Sequence, residues 1–344
     1  MRPARLIGLL AAASLALTLA ACATPATTTG AADAPGDAGA FPVTIENAYG
    51  TTTIEKKPTR VATVAWMNHE VPLALGVVPV GMSKATWGDD DGNGVLPWVE
   101  DRLTELHAKT PVLFDETDGI DFEAVADTRP DVILAAYSGL TKEEYAKLSK
   151  IAPVVAFPEV AWGTSVDDMI RLEAKALGLS TEGDALITKL DTESKDALAP
   201  HPQLADAKVL FAFADPTDLS KLGFYTAKDT RPGFLTSLGL PQPTIVTEES
   251  RKSDQFFVEV SSEQAQRFDD VDLVVTYGDP KGDLVQRLQA DPLLSKIPAV
   301  ARGSIAVLPD STPLAASANP SPLSIGWGVQ KYLDTLAAAL KTGA

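Results

Sequence analysis

The sequence predicts an α/β protein of two Rossmann-like lobes, each built on a central parallel sheet and joined by a long helix. Short apolar strands alternate with helical segments before and after residues 165–199, which is typical of parallel sheets covered on both faces. Residues 165–199 carry apolar side chains at helical spacing and no strand signal. Residues 121–137 and 261–279 share one plan, in which a helix begins near a glutamate and an acidic residue precedes an aliphatic strand with tyrosine at its end. This repeat indicates two related lobes.

The N-terminus predicts export. Residues 1–21 carry two arginines and then a short apolar run, the pattern of a signal peptide. The run ends in Leu19-Ala20-Ala21-Cys22, which looks like the lipobox of bacterial lipoproteins, and Cys22 is the single cysteine of the chain. We therefore expect Cys22 to be lipidated and residues 22–40, which lack large apolar side chains, to form a flexible tether.

The charge balance limits the classes of partner. The net charge is −17, and removal of residues 1–21 takes away Arg2 and Arg5 but no acidic residue, which leaves −19. A chain this acidic is a poor ligand for nucleic acid or for an anionic membrane surface. The predicted contact with the membrane is therefore through the lipid alone, on the outer side of the bacterial cytoplasmic membrane.

The N-terminal lobe is predicted to span residues 41–164. It should start with a hairpin over 41–57, where apolar and polar residues alternate around Asn47-Ala48-Tyr49-Gly50. Its predicted strands lie at 60–66, 77–81, 131–137 and 153–157, and its helices lie at about 70–75, 122–130 and 141–151.

Connecting helices are predicted within residues 165–200, the first over 165–177 and the second over 181–199, separated at Gly178. The alternation then resumes in a C-terminal lobe, residues 201–344. Its apolar segments lie at 208–214, 221–226, 232–239, 256–260, 272–279 and 304–309, and a helix at about 324–340 follows them.

Several motifs resemble one known family. They are the lipobox, "LALGVVPVG", "FEAVADTRPDVILA", "GFLTSLGL", "SSEQAQRFDDVDLVVTY" and "SPLSIGWGVQKYLDTL". From about Val43 to Leu340 the chain resembles the periplasmic-type binding proteins of iron–siderophore ABC importers, a group that also contains cobalamin and haem binders. The resemblance implies two lobes joined by a rigid spine helix, here residues 181–199. It also implies a monomer without catalytic residues that captures a ferric siderophore between its lobes and delivers it to an ABC permease.

The resemblance places the ligand between the lobes, where loops leave the sheets. Aromatic walls suit the faces of a ferric siderophore, and Arg or Lys can donate to its outward oxygens. The alternative is core packing for the aromatic residues and solvated surface for the two cations. The candidate residues are Trp66, Lys84, Trp87, Tyr137, Trp162, Tyr225, Arg231 and Tyr277.

Docking to the permease is the second implication of the resemblance. The family presents an exposed glutamate at the start of a helix in each lobe, and Glu123 and Glu263 occupy the matching positions. The alternative is local, because an acid in the first turn of a helix is favourable for capping and dipole reasons alone. Their occurrence once per lobe favours docking.

The class of ligand stays open. The net negative charge of the chain slightly favours a neutral or cationic ferric hydroxamate or mixed-ligand siderophore over an anionic catecholate. The preference is slight because salt screens long-range repulsion. Haem would need an axial Tyr or His, and Tyr137, Tyr225 or Tyr277 could supply one.

Residues 89–100, "DDDGNGVLPWVE", match a twelve-residue calcium loop. The ligands of a structural calcium ion there would be Asp89, Asp91, Asn93 and Glu100. Two features oppose it, since the preceding segment is not helical and Pro97 stiffens the second half. A solvated Asp-Gly turn is the alternative. The ion would brace the loop and would not be the cargo, and no other cofactor is required.

Two other functions compete. A free-metal carrier would need several converging ligands, but His69, His107 and His201 are widely separated in the predicted elements. An enzyme would be a different class of protein, and the chain lacks G-x-S-x-G, a Walker loop, H-E-x-x-H and G-x-G-x-x-G after a strand. We therefore predict a binding protein rather than an enzyme.

Overall fold

A computed structural model describes residues 41–341 of the chain. The predicted signal peptide (1–21), the lipidation site Cys22 and the tether (22–40) lie outside the described residues. The α/β class is confirmed, with two five-stranded sheets flanked by helices.

The predicted hairpin is present. Strands β1 (Val43–Asn47) and β2 (Gly50–Ile54) pair antiparallel, with Val43 opposite Ile54. Alternate side chains of β1 are buried, as the period of two requires when one face packs on a core. Gly50 turns the chain at φ 129°, a conformation that side-chain-bearing residues rarely adopt.

The first lobe is a parallel sheet in the order β5-β4-β3-β6-β7. Its strands are β3 (Val61–Thr63), β4 (Gly81–Ser83), β5 (Val112–Phe114), β6 (Val132–Ala135) and β7 (Val154–Ala156). Its helices are α1 (Glu70–Ala74), α2 (Pro97–Glu105), α3 (Phe122–Asp127) and α4 (Lys142–Leu148).

Two details of this sheet differ from the sequence prediction. The strand predicted at 77–81 lies at 81–83 instead, because the N–H of Val77 closes the end of α1 on the carbonyl of Pro72 and Pro79 has no N–H to donate. Strand β5 lies in a short apolar segment for which the sequence predicts no strand.

The connecting helices lie within one residue of their predicted bounds. Helix α5 (Val166–Leu177) begins where Ser165 accepts the N–H of Asp168 and ends at Gly178, which has φ 66°. Helix α6 (Ser180–Leu198) follows and packs against α5 and the C-terminal helix.

The second lobe holds a sheet in the order β10-β9-β8-β11-β12. Its strands are β8 (Val209–Phe213), β9 (Lys221–Tyr225), β10 (Phe257–Ser261), β11 (Leu273–Gly278) and β12 (Ile305–Pro309). Its helices are α7 (Thr230–Ser237), α8 (Thr244–Lys252), α9 (Leu284–Ala290), α10 (Pro298–Ala301), α11 (Pro313–Ser317) and α12 (Ser324–Ala339).

This second sheet is mixed rather than wholly parallel. Strand β9 runs antiparallel to both β8 and β10, while β8, β11 and β12 are parallel. The loop from β8 to β9 is too short to hold the crossover helix that a parallel pair needs. Residues 232–239, whose apolar pattern does not distinguish a strand from a helix, belong mainly to α7, which Asp229 caps.

One apolar core connects the two sheets. It contains Leu134 of β6 and Val275 of β11, together with Ile170, Leu190 and Leu333 from helices α5, α6 and α12. The three helices therefore pack into the same buried cluster as both sheets.

Candidate functional site

Two neighbouring cavities hold seven of the eight predicted ligand residues. A cavity of about 290 Å³ in the first lobe is lined by Trp66, Lys84 and Trp162. A larger cavity, about 600 Å³, is lined by residues of both lobes, namely Trp87, Tyr225, Arg231 and Tyr277. The two cavities lie side by side, since the ring of Trp66 in the first is 6.5 Å from that of Trp87 in the second, measured between centroids. We call the two together the cleft.

A series of aromatic rings forms one wall of the cleft, in which Trp87, Tyr277 and Tyr225 line the larger cavity and buried Phe211 packs behind them. The edge of Trp87 contacts Tyr277 with 5.3 Å between ring centroids, and Tyr277 contacts Phe211 at the same distance. Phe211 in turn lies 5.5 Å from Tyr225. These spacings are typical of favourable aromatic pairs. The wall can therefore present flat apolar faces to a bulky ligand across both lobes.

Arg231 is fixed at the centre of this wall. Its Nε donates to the Tyr277 hydroxyl at 2.9 Å, and its Nη1 donates to Asp229 Oδ2 at 2.9 Å. Its guanidinium carbon lies 4.3 Å from the ring centroid of Tyr225, within the range of a cation–π contact. The two side chains of the ion pair are 13% exposed for Arg231 and 1% for Asp229.

Burial and the ion pair set the protonation of this group. Burial alone would lower the pKa of Arg231, but Tyr277 and Asp229 raise that pKa well above its usual value. Burial raises the pKa of Tyr277 to about 12, partly opposed by the positive charge of Arg231. Arg231 is therefore a permanent cation, and the tyrosine hydroxyl remains protonated at neutral pH.

Tyr137 is the eighth predicted residue, and it lines neither cavity. It is 3% exposed and lies under Trp162, with 5.3 Å between ring centroids. Its hydroxyl is 3.4 Å from that of Thr230 and 3.5 Å from Asn319 Nδ2. The structure therefore places Tyr137 as a contact between the lobes behind the cleft, and its role toward ligand stays a prediction.

The first-lobe cavity has a polar end that sequence reasoning missed. Glu116 Oε2 accepts the N–H of Ala65 at 2.9 Å and the hydroxyl of Ser83 at 3.1 Å. Its Oε1 is buried and has no hydrogen-bond partner among residues 41–341. Burial raises the pKa of Glu116 to about 7. An acid two residues after a strand that the sequence does not predict carries no signal that identifies it.

Four further side chains in the cleft or directly behind its lining were also absent from the prediction. Phe211 is buried between the rings of Tyr277 and Tyr225, and Phe213 is 47% exposed at the rim of the larger cavity. Asp310 accepts the Trp87 Nε1–H at 3.3 Å, and Asp229 holds Arg231. The two phenylalanines lie at alternate positions of β8, a signal that was readable, whereas the Trp87–Asp310 contact joins distant parts of the chain.

The acidic loop 89–100 is closed by its own hydrogen bonds. The carboxylate of Asp89 accepts the backbone N–H groups of Asp91, Gly92 and Gly94, and Asn93 Nδ2 donates to Glu100. Within residues 41–341 no group of three or more His, Cys, Asp or Glu side chains is placed to hold a metal ion. The calcium site therefore stays a prediction, and the loop geometry adds no support to it.

The two predicted docking glutamates are both exposed in the first turn of a helical segment. Glu123 lies in α3, which Asp121 caps by accepting the N–H of Ala124. Glu263 lies in a 3-10 helical turn over residues 262–268, where the Ser261 hydroxyl accepts the N–H of Glu263. Neither carboxylate is the capping group of its helix. Of the two local reasons for an acid in the first turn, only the favourable interaction with the helix dipole therefore remains as an alternative to docking.

The three histidines occupy unrelated places. His69 is 7% exposed and burial lowers its pKa to about 4, while His107 follows α2 at φ 52°. His201 Nε2 lies 2.7 Å from Oδ1 of Asp334, a residue of the C-terminal helix α12.

Across the part of the chain that is described, no helix has the length and apolar character needed to cross a membrane.

Comparisons with known proteins place the chain in context. A family model described as "Periplasmic binding protein" matches residues 61–312. Among solved structures, Streptococcus pneumoniae TIGR4 PiaA in complex with ferrichrome is 48% identical, with a TM-score of 0.81, and the match covers 86% of this chain and 98% of that one.

Two sequence relatives are more distant. The probable siderophore-binding lipoprotein YfiY of Bacillus subtilis (strain 168) is 28% identical over 229 residues, and the match covers 64% of each chain. The Fe(3+) dicitrate-binding periplasmic protein FecB of Escherichia coli (strain K12) is 23% identical over 283 residues, which are 79% of this chain and 84% of that one.

Proposed function

This chain belongs to the periplasmic binding protein family, and we propose that it captures a ferric siderophore in the cleft and delivers it to the permease of an ABC iron importer. The observation that carries the proposal is the aromatic wall, which is continuous from Trp87 to Tyr225 and holds Arg231 at its centre. Such a wall suits a ferric complex, whose ligand shell offers flat or apolar faces and outward oxygens.

The comparisons support the same function. The solved structure with 48% identity contains ferrichrome, a ferric hydroxamate, and YfiY is named as siderophore-binding. A cavity of about 600 Å³ beside one of about 290 Å³ is within the range of small-molecule sites. We propose the remaining site predictions on the same basis, including Lys84 and Trp162 as ligand contacts.

Lipidation at Cys22 would hold the protein at the outer face of the cytoplasmic membrane, with residues 22–40 as tether. Release would follow docking of Glu123 and Glu263 on arginines of the permease, for which the exposed carboxylates offer charge complementarity. Haem or cobalamin remains the alternative cargo of the same family, and exported catalysis remains the alternative class.

The proposal is tested by tryptophan-fluorescence titration of a soluble chain that starts at residue 23. The ligands would be ferric hydroxamate, catecholate and carboxylate siderophores, haem and cobalamin. Three of the five tryptophans, Trp66, Trp87 and Trp162, line the cleft, so a bound ferric complex should quench their emission. The other two, Trp98 and Trp327, form a separate pair with 5.1 Å between centroids.

We expect saturable quenching by a ferric siderophore, and recovery of that ligand unchanged after release. Quenching by haem or cobalamin alone would replace the cargo, and chemical conversion of the ligand would identify an enzyme. Titration of a Trp98→Phe/Trp327→Phe variant should give the same dissociation constant, because both residues lie outside the cleft. No response to any ligand would contradict the proposed function.

A further inference from the structure

Resting on the proposed function, we propose that the cleft selects ferric complexes without net negative charge, and that Asp229 is a specificity-determining residue because it neutralises Arg231. Ligand charge is not a property of the fold, since one relative of this chain is named for Fe(3+) dicitrate and another structure contains ferrichrome. It must therefore be set by the residues of the individual cleft.

Arg231 is the first residue to consider, because an arginine in a ligand cleft ordinarily attracts anions. Its Nη1 bonds to both carboxylate oxygens of Asp229, at 3.1 and 2.9 Å, and Asp229 is almost completely buried. A buried pair this close presents a dipole to the cleft and no net charge. Nη2 of Arg231 makes no hydrogen bond within residues 41–341, so it remains available to a neutral ligand carbonyl.

Asp229 is held in this position by the backbone. It caps α7 by accepting the N–H of Arg231 at 2.8 Å, so the same carboxylate begins the helix and binds the guanidinium. The spacing of two residues makes the pair local. Neutralisation of Arg231 is therefore built into the turn before α7 and does not depend on how far the lobes close.

The remaining charges around the cleft are mostly acidic. Those lining the larger cavity are Asp279, Asp283 and Asp310, and those lining the smaller are Glu116, Glu144 and Lys84. Lys84, the one cation of this group, lies 3.6 Å from Asp115. Exposed Arg287 pairs with Asp283, and the raised pKa of Glu116 leaves that carboxyl partly protonated at neutral pH. The remaining carboxylates of the cleft still outnumber its cations that have no acidic partner.

The net charge of the ferric complex decides how tightly such a site binds it. Iron(III) bound by three hydroxamates is neutral, whereas iron(III) bound by three catecholates carries three negative charges. Bringing a trianion beside unscreened carboxylates in a partly desolvated cleft is unfavourable at short range, where salt screens weakly. A neutral complex carries no net charge for these carboxylates to repel, and it can contact the aromatic faces and the hydrogen-bond donors of the cleft.

The test compares ferrichrome with ferric enterobactin, a trianionic tris-catecholate, as the ratio of their dissociation constants. We expect the parent protein to favour ferrichrome by at least about a hundredfold. Asp229→Asn retains a helix cap but leaves the charge of Arg231 uncompensated. That change should reduce the preference for ferrichrome over ferric enterobactin by at least about tenfold. The reason is that the uncompensated positive charge of Arg231 would attract a trianion at contact distance.

Two further variants keep the test decisive if Asp229→Asn does not fold. Asp279→Asn/Asp310→Asn removes two carboxylates from the rim, retains the acceptor for Trp87, and should also narrow the ratio. Asp127→Asn/Asp269→Asn, two exposed acids outside the cleft, is the matched control for total charge.

The outcomes separate the two proposals. The charge-selection proposal is overturned if the parent binds both complexes equally, if Asp279→Asn/Asp310→Asn narrows the ratio no more than the control, or if a folded Asp229→Asn leaves it unchanged. Failure of the parent to bind either complex would instead contradict the proposed function.

Discussion

The indole of Trp87 meets the ring of Tyr277 edge-on, at an interplanar angle of 84° and a centroid distance of 5.3 Å. Trp87 follows β4 in the first lobe, and Tyr277 lies in β11 of the second. The contact is where the aromatic wall passes from one lobe to the other. The cleft is therefore a single surface to which both lobes contribute.

Trp87→Ala should weaken binding of the ferric siderophore at least about tenfold, because truncating a central aromatic residue of an interface typically costs this much. The change removes the ring that lies between those of Trp66 and Tyr277. Calorimetric titration measures the loss without relying on tryptophan emission. Trp327→Ala is the control, since Trp327 is 39% exposed and lies outside the cleft. Equal affinities for the two variants would contradict this role of Trp87.

Tyr277→Phe should destabilise the fold by about 1–3 kcal/mol, because it leaves the buried Nε–H of Arg231 without its acceptor. Tyr225→Phe is the matched control. The Tyr225 ring stacks on the same guanidinium, but its hydroxyl makes no hydrogen bond in the part of the protein that is described. Urea unfolding at pH 7 compares the two. The argument fails if both variants have the same free energy of unfolding.

Glu123→Arg combined with Glu263→Arg should abolish iron uptake in cells and leave ligand affinity intact, because both carboxylates are exposed and away from the cleft. Uptake of radioactive iron and fluorescence titration measure the two properties separately. Glu55→Arg/Asp206→Arg, at exposed positions elsewhere, makes the same change in charge and should retain uptake. A loss of affinity in the docking variant would assign these acids to the fold or the cleft.

Glu70 should make stability depend on pH. Burial raises its pKa to about 7, although Trp98, Ser321 and the backbone of Leu323 all donate to its carboxylate. A carboxyl whose pKa is higher in the folded state binds more protons when folded, so its contribution to stability falls as pH rises from about 4.5 to about 7. By linkage the fall is about 3 kcal/mol.

Glu70→Gln should remove that contribution. Urea unfolding at pH 5 and pH 8 gives the change in unfolding free energy for each protein, and the difference between parent and variant isolates Glu70 from other titrating groups. Exposed Glu105→Gln should behave as the parent does. The same pH dependence in Glu70→Gln and in the parent would refute the assignment.

The calcium prediction for residues 89–100 implies that adding Ca²⁺ to chelator-treated protein raises its melting temperature. Glu100→Gln should abolish the rise, because it keeps an acceptor for Asn93 but removes the charged ligand. Asp89→Ala is less selective, since it also removes three hydrogen bonds to backbone N–H groups. No calcium effect on the parent would leave the loop as a self-closed acidic turn.

Features determined by neighbouring residues were predictable from the sequence. Helices α5 and α6 were placed within one residue because a serine cap and a left-handed glycine act locally. The hairpin at β1 and β2 followed from alternation around a turn. Seven of the eight proposed ligand residues line the cleft, and each of them follows, ends, lies in or directly precedes a segment singled out by its apolar pattern.

What the sequence alone determined was therefore the class of fold, the position of most elements and the residue types that face the cleft, since periodicity, caps and turn residues are encoded within a few positions of one another. The tertiary structure decided the antiparallel direction of β9, the burial of Tyr137 under Trp162 and the contact of Trp87 with Asp310. Each of these joins residues far apart in the chain, and their proximity depends on how the sheets and connecting helices pack around the shared core.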